Sequence, residues 1–378
     1  MDLNGKLLTI NGDIILNTSI NINSGTMAVN GSLLHSAGTL DINGGKVNIT
    51  GDYFIIGKDS TFETGKENII GSNGYLKMVY PADELRVQGD FITRSAYDHG
   101  INYLGAGTLY IAGNFTELIG NEANWNFQPA VGHKTVLNGT GKQIVNFEDP
   151  RCGFGTLKSS NEDLVFENNV SWLLLDSDIN VASNSLNLDH REMDLSGNSL
   201  TIDGNIILNT TININNGTMT VNGSLLHSAG TLDINGGKVN ITGDYYIIGK
   251  YSTVEPGKEN ITGSNGYLKM VYPADELYIQ GDFVTKSVYD HGISYLDAGT
   301  MYVEGNFTEL IGNSSNWNFQ PTVGHKTVLN GTGKQVVSFE DPKCGFGTLE
   351  ITKPIDKYVF NPNPCWTALI SPEESTSS

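Results

Sequence analysis

The sequence predicts an all-β fold, a parallel β-helix whose coils each take about 19–26 residues. Three observations carry that prediction. The first is a short phrase, apolar-x-apolar-x-Gly, that recurs as LTING at 8–12, MAVNG at 27–31, LDING at 40–44, VNITG at 47–51, LRVQG at 85–89 and LYIAG at 109–113. Its period of two is the signature of a strand, and no sustained i, i+3, i+4 stripe competes with it. The second is spacing: the step from Gly12 to Gly31 is 19, from Gly31 to Gly51 it is 20, and from Gly51 to Gly89 it is 38, read as two coils of 19. Later steps lengthen to 24, from Gly89 to Gly113, and 26, from Gly113 to Gly139. The third is a copy of the stretch from Leu8 to about Leu157, in register, at an offset of 192, so that Leu8 maps to Leu200, Trp125 to Trp317, His133 to His325 and Cys152 to Cys344. A modular array grows by such additions.

An antiparallel meander would need dozens of very short strands in one sheet, whereas open sheets rarely exceed about ten. Stacked coils spaced about 4.8 Å apart satisfy every strand from the turns above and below. In HSAGTLDINGGKVNITGDY at 35–53, repeated letter for letter at 227–245, Leu40, Ile42, Val47 and Ile49 are expected to face inward. Asp41, Asn43 and Asn48 face out or turn corners there, and Gly44 and Gly45 supply the positive φ of the bend. The crossover rule for parallel strands predicts a right-handed coil.

Along the chain, residues 1–192 form a first solenoid module of eight or nine coils and 193–370 a second. The stretch 164–199 keeps alternating (LVF, LLL, INV, LNL, MDL) and reads as coil, which makes the two modules continuous in a rod roughly 80 Å long. Pro354, Pro362 and Pro364 interrupt the pattern and read as a stop, since proline cannot donate to a central ladder. Trp366 is a candidate plug over the last coil, and 371–378 has the composition of a disordered tail.

Composition narrows the function classes. Acidic residues outnumber basic ones 41 to 22 and the basic residues stand singly, so neither nucleic acid nor an anionic membrane surface is an expected partner. No run approaches the roughly 18 apolar residues of a spanning helix, and Met1 leads into no secretory leader, consistent with a mature or excised piece. Three cysteines without C-x-x-C spacing give no metal site, and neither calcium-loop motif occurs. GTGKQ at 139–143 lacks the upstream glycine and the Ser/Thr of a phosphate loop. No catalytic residue, metal or cofactor is assigned.

The phrases LTIDGNIIL, GTMTVNGSLL, GYLKMVYPADEL and GHKTVLNGTGKQ are similar in style to the tandem modules of large bacterial surface and exported proteins, the haemagglutinin-type β-helical adhesins. The resemblance covers nearly the whole chain. It implies an extracellular or cell-surface location within a larger exported protein and brings no catalytic residues with it.

The most site-like phrase is SAYDHGINYL at 95–104, returning as SVYDHGISYL at 287–296. Tyr97, Asp98, His99 and Tyr103 place aromatic, carboxylate and imidazole on one loop, with Trp125 and Phe127 added by NWNFQP; the second copy repeats this as Tyr289, Asp290, His291, Tyr295 and Trp317. Aromatic faces beside hydrogen-bond acceptors suit sugar rings. The competing reading has Asp98 cap a turn while the rings cover the edge of longer coils. Because β-helices also serve polysaccharide lyases and hydrolases, Asp83, Glu84, Asp90 and Asp98 with Arg86 and Arg94 form a rival, carbohydrate-active set; Arg86 becomes Tyr278 and Arg94 becomes Lys286 in the second copy. Cys344 and Cys365, a sequence step of 21, would stack one coil apart within disulfide range, against the alternative of two reduced thiols.

The function expected is therefore a non-enzymatic, rod-like structural or adhesive module that touches glycans weakly through side loops, or other surface proteins, with avidity from repetition. End-to-end self-association through uncapped strand edges, making the chain a filament subunit, is the third class.

Overall fold

The computed structural model describes residues 1–61, 68–97, 99–100, 102–254, 260–291, 294–362 and 364–372. It is a parallel β-solenoid of about 16 turns, and the chain divides into two units, residues 1–193 and 194–378. Among the described residues the helical content is one 3-10 turn, Ile355–Lys357.

Within the first unit, one face stacks Leu7–Asn11, Thr26–Asn30, Lys46–Ile49, Glu84–Val87, Gly107–Ile111, His133–Leu137, Phe154–Ser159 and Trp172–Leu175, each parallel to the next. A second face runs from Ile14–Leu16 through Leu33–His35, Tyr53–Ile55, Phe91–Thr93, Phe115–Glu117, Gln143–Phe147 and Leu164–Asn168 to Ile179–Leu188. A short third face holds Ile20–Asn21, Ala37–Asp41 and Asn73–Lys77. The alternating phrases thus become flat sides, and the stretch after Leu164 is coil, as its letters indicate.

The pairing Lys46↔Glu84 corrects the coil count between those residues: a sequence step of 38 makes one turn, not two of 19. The excess leaves the coil after Ile55, where the Gly57 amide donates to Ile70 O at 2.7 Å and Thr61 bridges antiparallel to Asn68. The second unit repeats this with Lys238↔Glu276.

Corners explain the glycines. Asn43 and Gly44 take the left-handed turn at φ 47° and 76°. Gly45, expected to share it, does not; its hydrogen is required because a Cβ would lie 2.8 Å from Gly25 O. At the next corner Gly31, Gly51 and Gly89 stack backbone on backbone, and a Cβ on Gly51 or Gly89 would sit 2.8 Å from the carbonyl carbon one coil below. The residue after each glycine replaces the strand bond lost at the bend. Asp13 Oδ1 accepts the Ser32 amide at 2.8 Å, Ser32 Oγ the Asp52 amide at 3.0 Å, Asp52 Oδ1 the Asp90 amide at 2.8 Å and Asp90 Oδ1 the Asn114 amide at 2.7 Å. Each such bond is worth about 1 kcal/mol.

The interior is mostly Leu, Ile and Val, with a column of rings from Phe91 to Phe154. Phe91 stacks on Phe115 at 5.4 Å, and Phe115 also meets Phe127, Phe147 and Phe154 at 4.9–5.0 Å. Phe127, expected beside Trp125 on the outside, is 2 % exposed and fills the widened coil.

In the second unit the prolines mark corners, not a stop. Tyr358–Asn361 still pairs with Gln335–Phe339, and Cys365–Ile370 pairs with Gly345–Ile351. That register also corrects the cysteine clasp. Cys365 lies opposite Gly345, one residue out of step with Cys344, so Cys344 points into the core while Cys365 is exposed, and both are free thiols. Trp366 is 38 % exposed against Phe360, with ring centroids 5.7 Å apart, so it leans on the last coil without sealing it. The tail from residue 373 lies outside the described residues.

Candidate functional site: a tyrosine platform on the third face

On the third face, parity sets the chemistry. Leu76 and Met78 are buried, so Tyr75 and Lys77 project outward from the same strand. The chain then returns through the loop that carries the site-like phrase. Ser95 bridges to Ser72 and donates from Oγ to Gly74 O at 3.2 Å, while the Tyr97 amide donates to Ser95 Oγ at 3.1 Å. On the far side the Met78 amide donates to Tyr103 O at 2.7 Å. These bonds deliver two more rings onto the first: Tyr97 and Tyr103 stack on Tyr75 at 4.8 and 4.9 Å, with interplanar angles of 21° and 20°. Burial, then the neighbouring Tyr103 and Tyr97, raise the Tyr75 pKa above its ordinary value, so that ring meets a ligand as a phenol.

Tyr75 is the member that the loop phrase alone does not reveal. Its signal is the strand parity just described. The second unit builds the same platform from Tyr267, Tyr289 and Tyr295, with both stacks at 4.8 Å.

The other expected members separate. His99 is 1 % exposed and not presented to a ligand, which corrects its assignment; its Nε2 accepts the Leu76 amide at 3.1 Å, completing the strand where no neighbouring carbonyl reaches. Burial, then the nearby His35, pushes its pKa down to about 3, so it stays neutral. His291 does the same for Leu268. Trp125 and Trp317 are each 41 % exposed and join the loop through their backbones, Trp125 O accepting the His99 amide at 3.2 Å and Trp317 O the His291 amide at 3.0 Å. Asp290 is exposed, and Asp98 lies outside the described residues.

Beside the platform, Lys77 Nζ and Asp41 Oδ2 pair at 2.8 Å, and that bond raises the lysine pKa. Asp41 Oδ1 is buried with no hydrogen-bond partner among the described residues, and so is its counterpart Asp233 Oδ1. A groove of about 600 Å³ runs past Asn21, Thr39, Asp41, Lys77, Asn102 and Tyr103.

Of the rival acids, Asp83, Glu84 and Asp90 make structural contacts, and Asp98 lies outside the described residues. Asp83, 1 % exposed, accepts the Gly44 amide at 2.5 Å through Oδ1 and the Val79 and Tyr80 amides at 2.7 and 2.9 Å through Oδ2. Asp90 serves the corner ladder, Glu84 pairs with Arg86 at 2.9 Å, and Arg94 donates to Ile69 O and Ile119 O. Among the described residues no cluster of three or more His, Cys, Asp or Glu could hold a metal ion, and no helix is long and apolar enough to cross a membrane. No family model, no curated protein and no solved structure matches the chain.

Proposed function

We propose that the chain is a non-enzymatic structural and adhesive module of a bacterial surface or secreted protein, touching glycans through its tyrosine platforms. The observation that carries this reading is the platform itself: three stacked phenols beside polar side chains, built identically in both units, with Tyr97 and Tyr289 each 40 % exposed. Aromatic surface with hydroxyls around it suits the C–H faces and hydroxyls of a sugar. Each contact is weak, and repetition supplies avidity when the ligand is itself a polymer. The engagement of Asp83, Glu84, Asp90 and Arg94 in backbone and ion-pair contacts supports a framework over a reaction centre.

The test is a glycan array and a polysaccharide-turnover screen on one preparation. The reading expects array binding that falls when Tyr97→Ala and Tyr289→Ala are combined, with no turnover. Turnover abolished by Asp98→Ala would replace it with the carbohydrate-active alternative.

A further inference from the structure

We infer that the Asp41–Lys77 pair is the polar reader of this site, and that the groove it lines in the first unit takes a neutral oligosaccharide. This deepens the reading above and rests on it. Three features at one place support the assignment: an incomplete acceptor, its recurrence in the second unit, and a groove that the pair lines together with Asn102 and Tyr103 of the loop.

Asp41 is an incomplete acceptor. Its Oδ2 is held by Lys77 Nζ at 2.8 Å, whereas Oδ1, withdrawn from the surface, has no donor among the described residues. Burying an acceptor without a partner is costly, so the pair is not there for stability alone. The same half-satisfied pair recurs as Asp233 and Lys269 at 2.7 Å, with Asp233 Oδ1 again unpartnered. Its origin is the fold: Asp41 and Lys77 are register neighbours on the third face, Asn21 stands opposite Asp41 on the other side, and each projects outward between buried apolar residues.

The groove supplies room and a wall. Its roughly 600 Å³ accommodates a ligand of a few sugar rings, and Tyr103, a member of the platform, lines it beside Asn102 and Thr39. The donors and acceptors present match a polyol. A ligand hydroxyl donates to the Asp41 carboxylate beside Lys77, an adjacent hydroxyl accepts from Lys77 Nζ, and the amides of Asn21 and Asn102 serve either role. Lysine and aspartate neutralise each other, so the pair offers no net charge to an anionic ligand, while the chain's net charge of −19 repels one. A neutral sugar meets neither penalty.

The probes are cellohexaose, maltohexaose, mannohexaose and chitohexaose, titrated into the full chain and followed by calorimetry and by tyrosine and lysine NMR shifts. Three variants are compared: Asp41→Asn, Thr39→Arg to fill the groove, and Tyr97→Ala. At least one probe is expected to bind at millimolar or tighter affinity. Asp41→Asn and Thr39→Arg should each weaken it by about tenfold, the scale of one lost charge-assisted hydrogen bond, with the urea midpoint unchanged. If Tyr97→Ala weakens binding while Asp41→Asn and Thr39→Arg do not, this inference fails and the platform reading stands. If none of the four probes binds the unaltered chain, both fail. A Thr39→Arg chain that does not fold leaves Asp41→Asn, which keeps the shape of the side chain, to decide.

Discussion

The two units carry one framework and two different outer rows. In the first, Asn48, Arg86 and Tyr110 stand in register along one face, and the Arg86 guanidinium lies 3.9 Å over the Tyr110 ring while Glu84 holds its Nε at 2.9 Å. In the second, Asn240, Tyr278 and Tyr302 occupy the same places; Tyr278 stacks on Tyr302 at 4.3 Å and Lys238 Nζ sits 4.2 Å over the Tyr278 ring. Arginine and tyrosine differ in charge and shape, yet each lays a flat group on the tyrosine one coil on. A parallel stack with about 4.8 Å between coils asks of an outward residue only that it present a face to its neighbour. Inward positions have no such freedom, which is why Phe115 and Phe307 sit in matching ring clusters.

The largest expected effect tests the shared part. Phe115→Ala and Phe307→Ala should each cost about 3–5 kcal/mol, because both rings are fully buried among other rings and the cavity cannot collapse. Urea unfolding should show similar losses for the two; a cost confined to one would mean the units are not packed alike. Next, Asp83→Ala and Asp275→Ala should each cost about 2 kcal/mol by removing a buried carboxylate that holds part-buried amides, the Gly44 amide in one unit and the Gly236 amide in the other.

Acid should weaken both units together. His35, His133, His227 and His325 have pKa values lowered to about 4, and His99 and His291 to about 3, chiefly by burial. The unfolded chain binds those protons near pH 6.5, so stability is full above that value and falls as pH drops toward 4 and then 3. The buried carboxyls of Glu117, at about 7, and of Glu309, Asp83 and Asp275, raised by burial, act in the opposite sense, but the histidines are more numerous. The urea midpoint should be lower at pH 5 than at pH 7; a higher one would contradict the neutral, buried histidines. The smallest effect probes what differs: exchanging the outer rows by Arg86→Tyr with Tyr278→Arg should change stability by no more than about 1 kcal/mol.

Much of this was legible in the letters. Period-two phrases and a repeat in register point to stacked coils because an inward residue must be apolar and a corner must bend, and both demands are local. The long turn between Lys46 and Glu84 was not, because the excursion after Ile55 adds close to one coil's length, and spacing cannot tell an added coil from a side loop. Tyr97 and Tyr103 were found from their loop, but Tyr75 reads as an ordinary strand letter until Leu76 is known to face inward. His99 misled because Asp-His-Gly looks like a loop tip; the ring is buried to satisfy one amide, a need that arises only in three dimensions. The cysteine clasp failed by a single residue of register.

The stretch from Asn48 to Arg86, like that from Asn240 to Tyr278, makes one turn, which sets the two ends of each stretch side by side. With the native cysteines replaced, Asn48→Cys with Arg86→Cys, and Asn240→Cys with Tyr278→Cys, bring Cα atoms to about 4.8 Å, inside disulfide range. Both pairs should crosslink on mild oxidation without loss of folding. If each stretch made two turns, the partners would stand about 9.6 Å apart and neither pair would close.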